Sequence, residues 1–332
     1  MKKFLNNAED IMQETLEGYV LANKRYLSLE KGTHNITRAN PKDKGKVKLV
    51  IGNGGGHEPG TPGQVGYGLY DLVSVGDVFA AQSGQKLFQA IQSIDDGSPI
   101  LLTIANHAGD VMNGNLACRK AKMAGINIES VIHYDDIMSA PKETPEERRG
   151  VAGIFFPTKI VGAAAEEGDS LVTCVELFNK TRNCTRSISL ALGGGTHPQT
   201  GLPLMEIPDN VVNIGAGSHG EGGTENIPFA SSREMVSKVT EKLLEDMPFE
   251  KGEEALLLVT GMGGTTMMEM SIVYRDACEY LGSQGVSVYS GISENMVTVQ
   301  ETCGVTISIC KADSEIKRLW NAPCSCPIYS NM

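Results

Sequence analysis

Apolar positions along this chain recur at two periods. In residues 9–23, Ile11, Met12, Leu16, Tyr19 and Val20 fall on one stripe at helical spacing, which predicts an amphipathic helix. Past a polar stretch at 31–46, Val47-Lys48-Leu49-Val50-Ile51 is a short apolar run ending in glycines, the pattern of a buried parallel strand. A second such run, Ile100-Leu101-Leu102-Thr103-Ile104, leads into a helical pattern at 111–123, and a third strand follows at 126–132. Strands that alternate with helices at this spacing predict an α/β domain built on a doubly wound, mostly parallel sheet.

A charged, proline-bearing segment at 141–149 reads as an exposed loop, and two helical stretches follow at 158–167 and 170–181. The pattern then shifts. Strand-like runs at 187–192, 211–214, 255–259, 286–289 and 305–310 are interrupted by helical patterns at 232–246 and 267–281, so a second domain with a mixed α/β sheet is expected. The boundary is placed near 185. This gives an N-terminal α/β domain (1–185) with a glycine-rich ligand loop and a second α/β domain (186–332). A length of 332 residues agrees with two domains.

Composition removes several functional classes. No run approaches eighteen apolar residues, so no membrane span is expected. Lys and Arg total 29 against 40 Asp and Glu, a net charge of −11, which offers no field for nucleic acid or an anionic membrane. The N-terminus turns acidic at Glu9 and Asp10 before any hydrophobic run, unlike a secretory signal, and none of the eight cysteines forms CxxC. Reduced, buried thiols in a cytoplasmic protein are the expectation. Cys324-Ser325-Cys326 lacks a second ligand pair, so no metal site is expected.

Glycine is the outlier, with 38 of 332 residues, or about 11% against a usual value of about 7%. The excess lies in loops that follow apolar runs. The first is Gly52-Asn53-Gly54-Gly55-Gly56-His57-Glu58-Pro59-Gly60, at a predicted strand end, where open α/β sheets bind ligands. Its consecutive glycines let backbone N–H groups converge on an oxygen-rich ligand. It is not a Walker A loop, and its proline excludes the helix that HExxH requires. The second, Asn106-His107-Ala108-Gly109-Asp110, puts Asp110 on the same sheet edge as His57, either as a general base or as the cap of a helix starting at Val111. The third runs from Gly215 to Gly223 and matches GxGxxG literally. Gly222, Gly223 and Pro228 forbid the helix a dinucleotide fold needs, which leaves His219 presented on a glycine loop. The fourth, Gly261-Met262-Gly263-Gly264-Thr265, precedes a capping box of Thr266 and Glu269 and reads chiefly as a structural turn.

These loops, in this order, resemble the dihydroxyacetone kinase K family, the subunit that binds the ketone substrate. The resemblance rests on Gly54-Gly55-Gly56-His57-Glu58-Pro59, Gly109-Asp110, Arg148-Arg149-Gly150-Val151-Ala152-Gly153, Val161-Gly162-Ala163-Ala164-Ala165-Glu166, Gly217-Ser218-His219-Gly220-Glu221 and Gly261-Met262-Gly263-Gly264-Thr265. It implies that His219 is a covalent anchor whose imidazole adds to the substrate carbonyl to give a hemiaminal. Asp110 then resembles the base toward the attacking primary hydroxyl, and His57 the histidine that hydrogen-bonds substrate. Gly54, Gly55 and Gly56 would supply close backbone contacts.

The resemblance further implies a homodimer and no cofactor bound by this chain. ADP or ATP with magnesium is expected on a nucleotide-binding L subunit, with or without a phosphotransferase-system M subunit. Two departures stand out. The family usually has Ser where this chain has Gly55, and Lys-Asn-Tyr where it has Ala105-Asn106-His107. Smaller residues at 55 and 105 are expected to vacate volume for a longer ketose such as erythrulose. A non-catalytic, ketose-sensing co-activator is the alternative reading.

Overall fold

The computed structural model describes residues 2–332. By its contacts the chain divides into two units, one formed by Met1–His133, Pro157–Lys180 and Arg318–Met332, the other by Tyr134–Phe156 and Thr181–Lys317. A single cut near 185 therefore does not describe the division. Residues 134–156 contribute to the second unit, since Asp136 bridges to Ser187 and the Asp135 carboxylate accepts the Ser187 hydroxyl. Residues 318–332 return to the first, where Ser325 N–H donates to the Tyr67 carbonyl (2.9 Å).

The first unit runs through α1 (Ile11–Ala22), β1 (Leu27–Leu29), β2 (Asn35–Arg38), β3 (Lys48–Gly55), β4 (Leu72–Val78), α2 (Gly84–Ser93), β5 (Ile100–Ala105), α3 (Ala108–Met123) and β6 (Ile128–His133). Its six strands take the order β1-β2-β4-β3-β5-β6. The β4-β3-β5-β6 portion is parallel and the β1–β2 pair is antiparallel, so the sheet is mostly parallel as expected. Val50, Leu72, Leu102 and Ile104 of the sheet pack against Leu87, Ala90 and Ile91 of α2 and Ala117, Cys118 and Ala121 of α3. Burial on both faces explains why β3 and β5 read as unbroken apolar runs.

The chain continues through α4 (Phe155–Glu167) and α5 (Leu171–Asn183). It then enters β7 (Thr185–Gly193), β8 (Val211–Ile214), β9 (Glu225–Pro228), α6 (Ser232–Asp246), β10 (Glu254–Gly261), α7 (Met267–Ser283), β11 (Ser287–Ser293), β12 (Cys303–Lys311) and α8 (Ser314–Asn321). The second sheet has the order β11-β10-β12-β7-β8-β9 and is mixed, with a parallel β10–β11 pair among antiparallel neighbours. The expected capping box of Thr266 and Glu269 opens α7, and Ser231 with Glu234 does the same for α6.

The segment at 141–149 is not simply an exposed loop, because Arg148 is only 1% exposed. Its guanidinium makes two bonds to the Asp246 carboxylate, at 2.9 and 2.5 Å, and a third to the Ala140 carbonyl at 3.0 Å. Arg186 binds the same carboxylate. Burial alone would raise the Asp246 pKa, but its bonds to the two arginines hold it below the usual range. Among the described residues, no helix is long and apolar enough to cross a membrane.

Candidate functional site

In the first sheet β3 lies between β4 and β5, so the strand order reverses at β3/β5. A reversal of this kind opens a crevice outside the carboxyl ends of the strands, the usual ligand position in such sheets. His57 follows the end of β3 and Asp110 lies in the first turn of α3, just after β5; the two are 5% and 7% exposed. Both therefore flank one switch point.

Asp110 does not cap its helix. The helix starts at Ala108, with His107 at the cap position and no cap bond from that side chain. Asp110 is the third helical residue, where the positive end of the helix dipole favours a carboxylate.

The glycine loop has packing reasons of its own. A Cβ on Gly52 would lie 2.7 Å from the Leu87 side chain, one on Gly54 3.1 Å from the Ala80 backbone, and one on Gly56 2.7 Å from the Phe79 ring. At Gly55 a Cβ would strike the thioether of Met12, a residue 4% exposed on α1. The space expected to be vacated at Gly55 is thus filled by Met12 and is not available to a longer ketose. Two of the loop's N–H groups are also engaged, Gly54 with Asn53 Oδ1 (2.7 Å) and Gly56 with Glu58 Oε1 (2.9 Å).

In the second unit His219 sits on the loop between β8 and β9, and no helix interrupts residues 215–223. Gly215 and Gly220 take left-handed φ values of +81° and +86°, which explains glycine at both positions. Glu221 organises the loop. Its Oε2 accepts the His219 N–H (2.8 Å), its Oε1 faces His219 Nδ1 (3.3 Å), and its carbonyl accepts the Gly217 N–H (2.8 Å). Burial would raise the Glu221 pKa, but its bonds with the His219 side chain and nearby backbone N–H groups hold it well below the usual range. An ionised Oε1 can only accept, so in the neutral ring it favours the tautomer with the proton on Nδ1 and the lone pair on Nε2.

Arg149 braces the start of this loop. It donates to Asp136 Oδ2 through Nε (3.0 Å) and Nη2 (2.7 Å), and to the Gly215 carbonyl (2.9 Å). Burial pushes the Asp136 carboxyl up to about 6 against the pull of Arg149.

Sequence reasoning included Glu58, Arg149 and Glu221 in the quoted motifs but gave them no role, and it missed Met12 and Phe79 as neighbours of the first loop. Glu58 and Glu221 carried a local signal, standing one and two residues from a histidine. At Cys324 and Cys326 burial pushes the thiols up to about 11 and about 12.

Each of the two α/β units carries a histidine on a glycine-rich loop after a strand, His57 after β3 and His219 after β8, and Asp110 lies in the helix turn after β5. The Dak1 domain family matches residues 17–328, and the chain belongs to that family. It is 32% identical to the dihydroxyacetone-binding subunit DhaK of PTS-dependent dihydroxyacetone kinase 2 of Listeria innocua, over 99% of both chains. It is also 31% identical to the L-erythrulose kinase of Pectobacterium atrosepticum, covering 99% of this chain but 56% of that protein. Among solved structures, the dihydroxyacetone kinase operon co-activator Dha-DhaQ superposes with a TM-score of 0.90 at 26% identity, over 97% of this chain and 98% of that one.

Proposed function

We propose that this chain is the ketose-binding subunit of a dihydroxyacetone-type kinase. The observation that carries the reading is membership of the Dak1 family over 17–328, with a relative matched end to end and named for dihydroxyacetone binding. The His219–Glu221 geometry supplies the chemistry. The Nε2 lone pair adds to the ketone carbonyl carbon as the C=O π bond opens onto oxygen, that oxygen takes a proton from water, and Glu221 stabilises the cationic ring until its Nδ1 proton is returned to water, leaving a neutral hemiaminal. A polyol such as glycerol offers no carbonyl and is rejected. Asp110 receives the proton of the primary hydroxyl as that oxygen attacks the donor's terminal phosphorus and the P–O bond to the nucleotide breaks, the nucleotide leaving on the partner, while His57 hydrogen-bonds the substrate.

The phosphoryl donor belongs to a partner, a nucleotide-binding L subunit holding ADP or ATP with magnesium. The name of the Listeria relative supports a phosphotransferase-system M subunit as a further partner. The same name supports dihydroxyacetone as the ketose, and Met12 fills the space at Gly55, one of the two positions that argued for erythrulose.

The test combines this chain with an L subunit, a donor and dihydroxyacetone and measures ketose phosphate. Asp110→Asn should abolish turnover but spare ketose binding, whereas His219→Ala should weaken ketose retention. No turnover beside an active control K subunit overturns the reading. That outcome, with ketose adduct still visible by intact-protein mass spectrometry, would favour a ketose-sensing co-activator. The co-activator likeness and Ala105 in place of a lysine support that alternative.

A further inference from the structure

Phe79 follows β4 and has a left-handed backbone, with φ +54°. Such a conformation suits glycine and is unfavourable for a bulky L-residue, so the turn by itself does not call for a phenyl ring. The ring is placed against the loop that carries His57. Its centroid is 5.3 Å from that of the His57 imidazole, with the planes inclined at 51°. Its edge fills the place that a Cβ on Gly56 would take. The Phe79 N–H donates to the Gly55 carbonyl at 2.9 Å, so one residue fastens Gly55, Gly56 and His57 together.

We propose that Phe79 is a positioning residue that presets the His57 imidazole for the ketose. The proposal rests on the reading that His57 contacts substrate. Backbone strain at the end of a strand is tolerated here because it brings an aromatic wall to the one loop that carries the histidine. A preset imidazole loses less freedom when the ketose arrives, so the effect falls on ligand affinity.

The experiment uses the full chain and dihydroxyacetone as the probe. Phe79→Leu and Phe79→Gly are each expected to raise the dihydroxyacetone Kd about tenfold, equivalent to about 1.4 kcal/mol, and Phe79→Tyr to stay within about twofold of the parent. In a His57→Ala background the Phe79→Leu change should add less than about twofold, since a residue acting through His57 cannot act without it. The His57 ring resonances of the ligand-free protein should shift in Phe79→Leu and be restored in Phe79→Tyr.

A Phe79→Gly variant that binds dihydroxyacetone like the parent overturns the proposal, because it would show that only the turn matters. Equal losses from Phe79→Leu with and without His57 overturn it as well. If His57→Ala binds dihydroxyacetone normally, the reading of His57 as a substrate contact fails. The ring resonances then still decide whether Phe79 holds the imidazole.

Discussion

Glutamine at 221 gives the sharpest test of how His219 is armed. The carboxylate uses both oxygens, one for the His219 N–H at 2.8 Å and one for Nδ1 at 3.3 Å. A carboxamide has a single oxygen. The shorter backbone bond keeps it, and the amide NH2 then faces Nδ1 as a donor. Nδ1 must accept, so the proton moves to Nε2 and covers the lone pair proposed to add to the ketone.

Hydrogen bonds to charged groups are worth about 1.5–3 kcal/mol when shielded. With the Glu221 side chain 44% exposed and the contact long, about 1 kcal/mol is the appropriate figure. That bias holds roughly 85% of His219 in the reactive tautomer, and an equal bias of opposite sign leaves roughly 15%. Glu221→Gln should therefore weaken dihydroxyacetone binding about fivefold, since apparent affinity scales with the competent fraction. Calorimetry gives the Kd, and the ring nitrogen shifts of His219 report the tautomer. A flipped tautomer with unchanged Kd would refute Nε2 as the nucleophile. An unchanged tautomer would refute the role assigned to Glu221.

Other consequences concern stability. Asp246→Ala leaves Arg148 buried without its carboxylate and should cost about 3–5 kcal/mol, read by chemical denaturation. Because the Asp246 pKa is depressed on folding, its contribution is present above the unfolded value of about 3.9 and is lost as pH falls through the lower folded pKa. Acid titration of Asp246→Ala should accordingly show a shallower loss of stability below about pH 4 than the parent. Gly55→Ser must push the Met12 thioether aside and should destabilise by about 1–3 kcal/mol. Combined with Met12→Ala, the loss should fall short of the sum of the two single losses by about 1 kcal/mol, and strict additivity would refute the contact.

Which parts of this molecule can be read from sequence follows from where each part gets its reason. Strands β3 and β5 are legible because burial on both faces makes them unbroken apolar runs. Strand β4 is not, since Ser74, Gly76 and Asp77 interrupt its pattern, and with it went the turn that carries Phe79. Helix α2 left a signal that goes unused in a reading by runs, with Ser83 as cap and Leu87, Ala90 and Ile91 on one face. The division into units was out of reach, because 134–156 and 318–332 are assigned by contacts distant in sequence.

The glycine excess shows why a site's chemistry and its packing have to be separated. Clustered glycines at a strand end were read as a close approach of backbone to a ligand, and Leu87, Ala80, Met12 and Phe79 occupy the positions their side chains would take. Close approach therefore has at least one partner within the protein itself. The evidence for a site then rests on the side chains rather than on the glycines. His57 and Asp110 flank the point where the strand order reverses, and His219 has a carboxylate that orients its ring. Packing the loop with protein also makes it stiff. A stiff loop holds a histidine in one place, which a small ketose with few atoms to offer requires of its binding site.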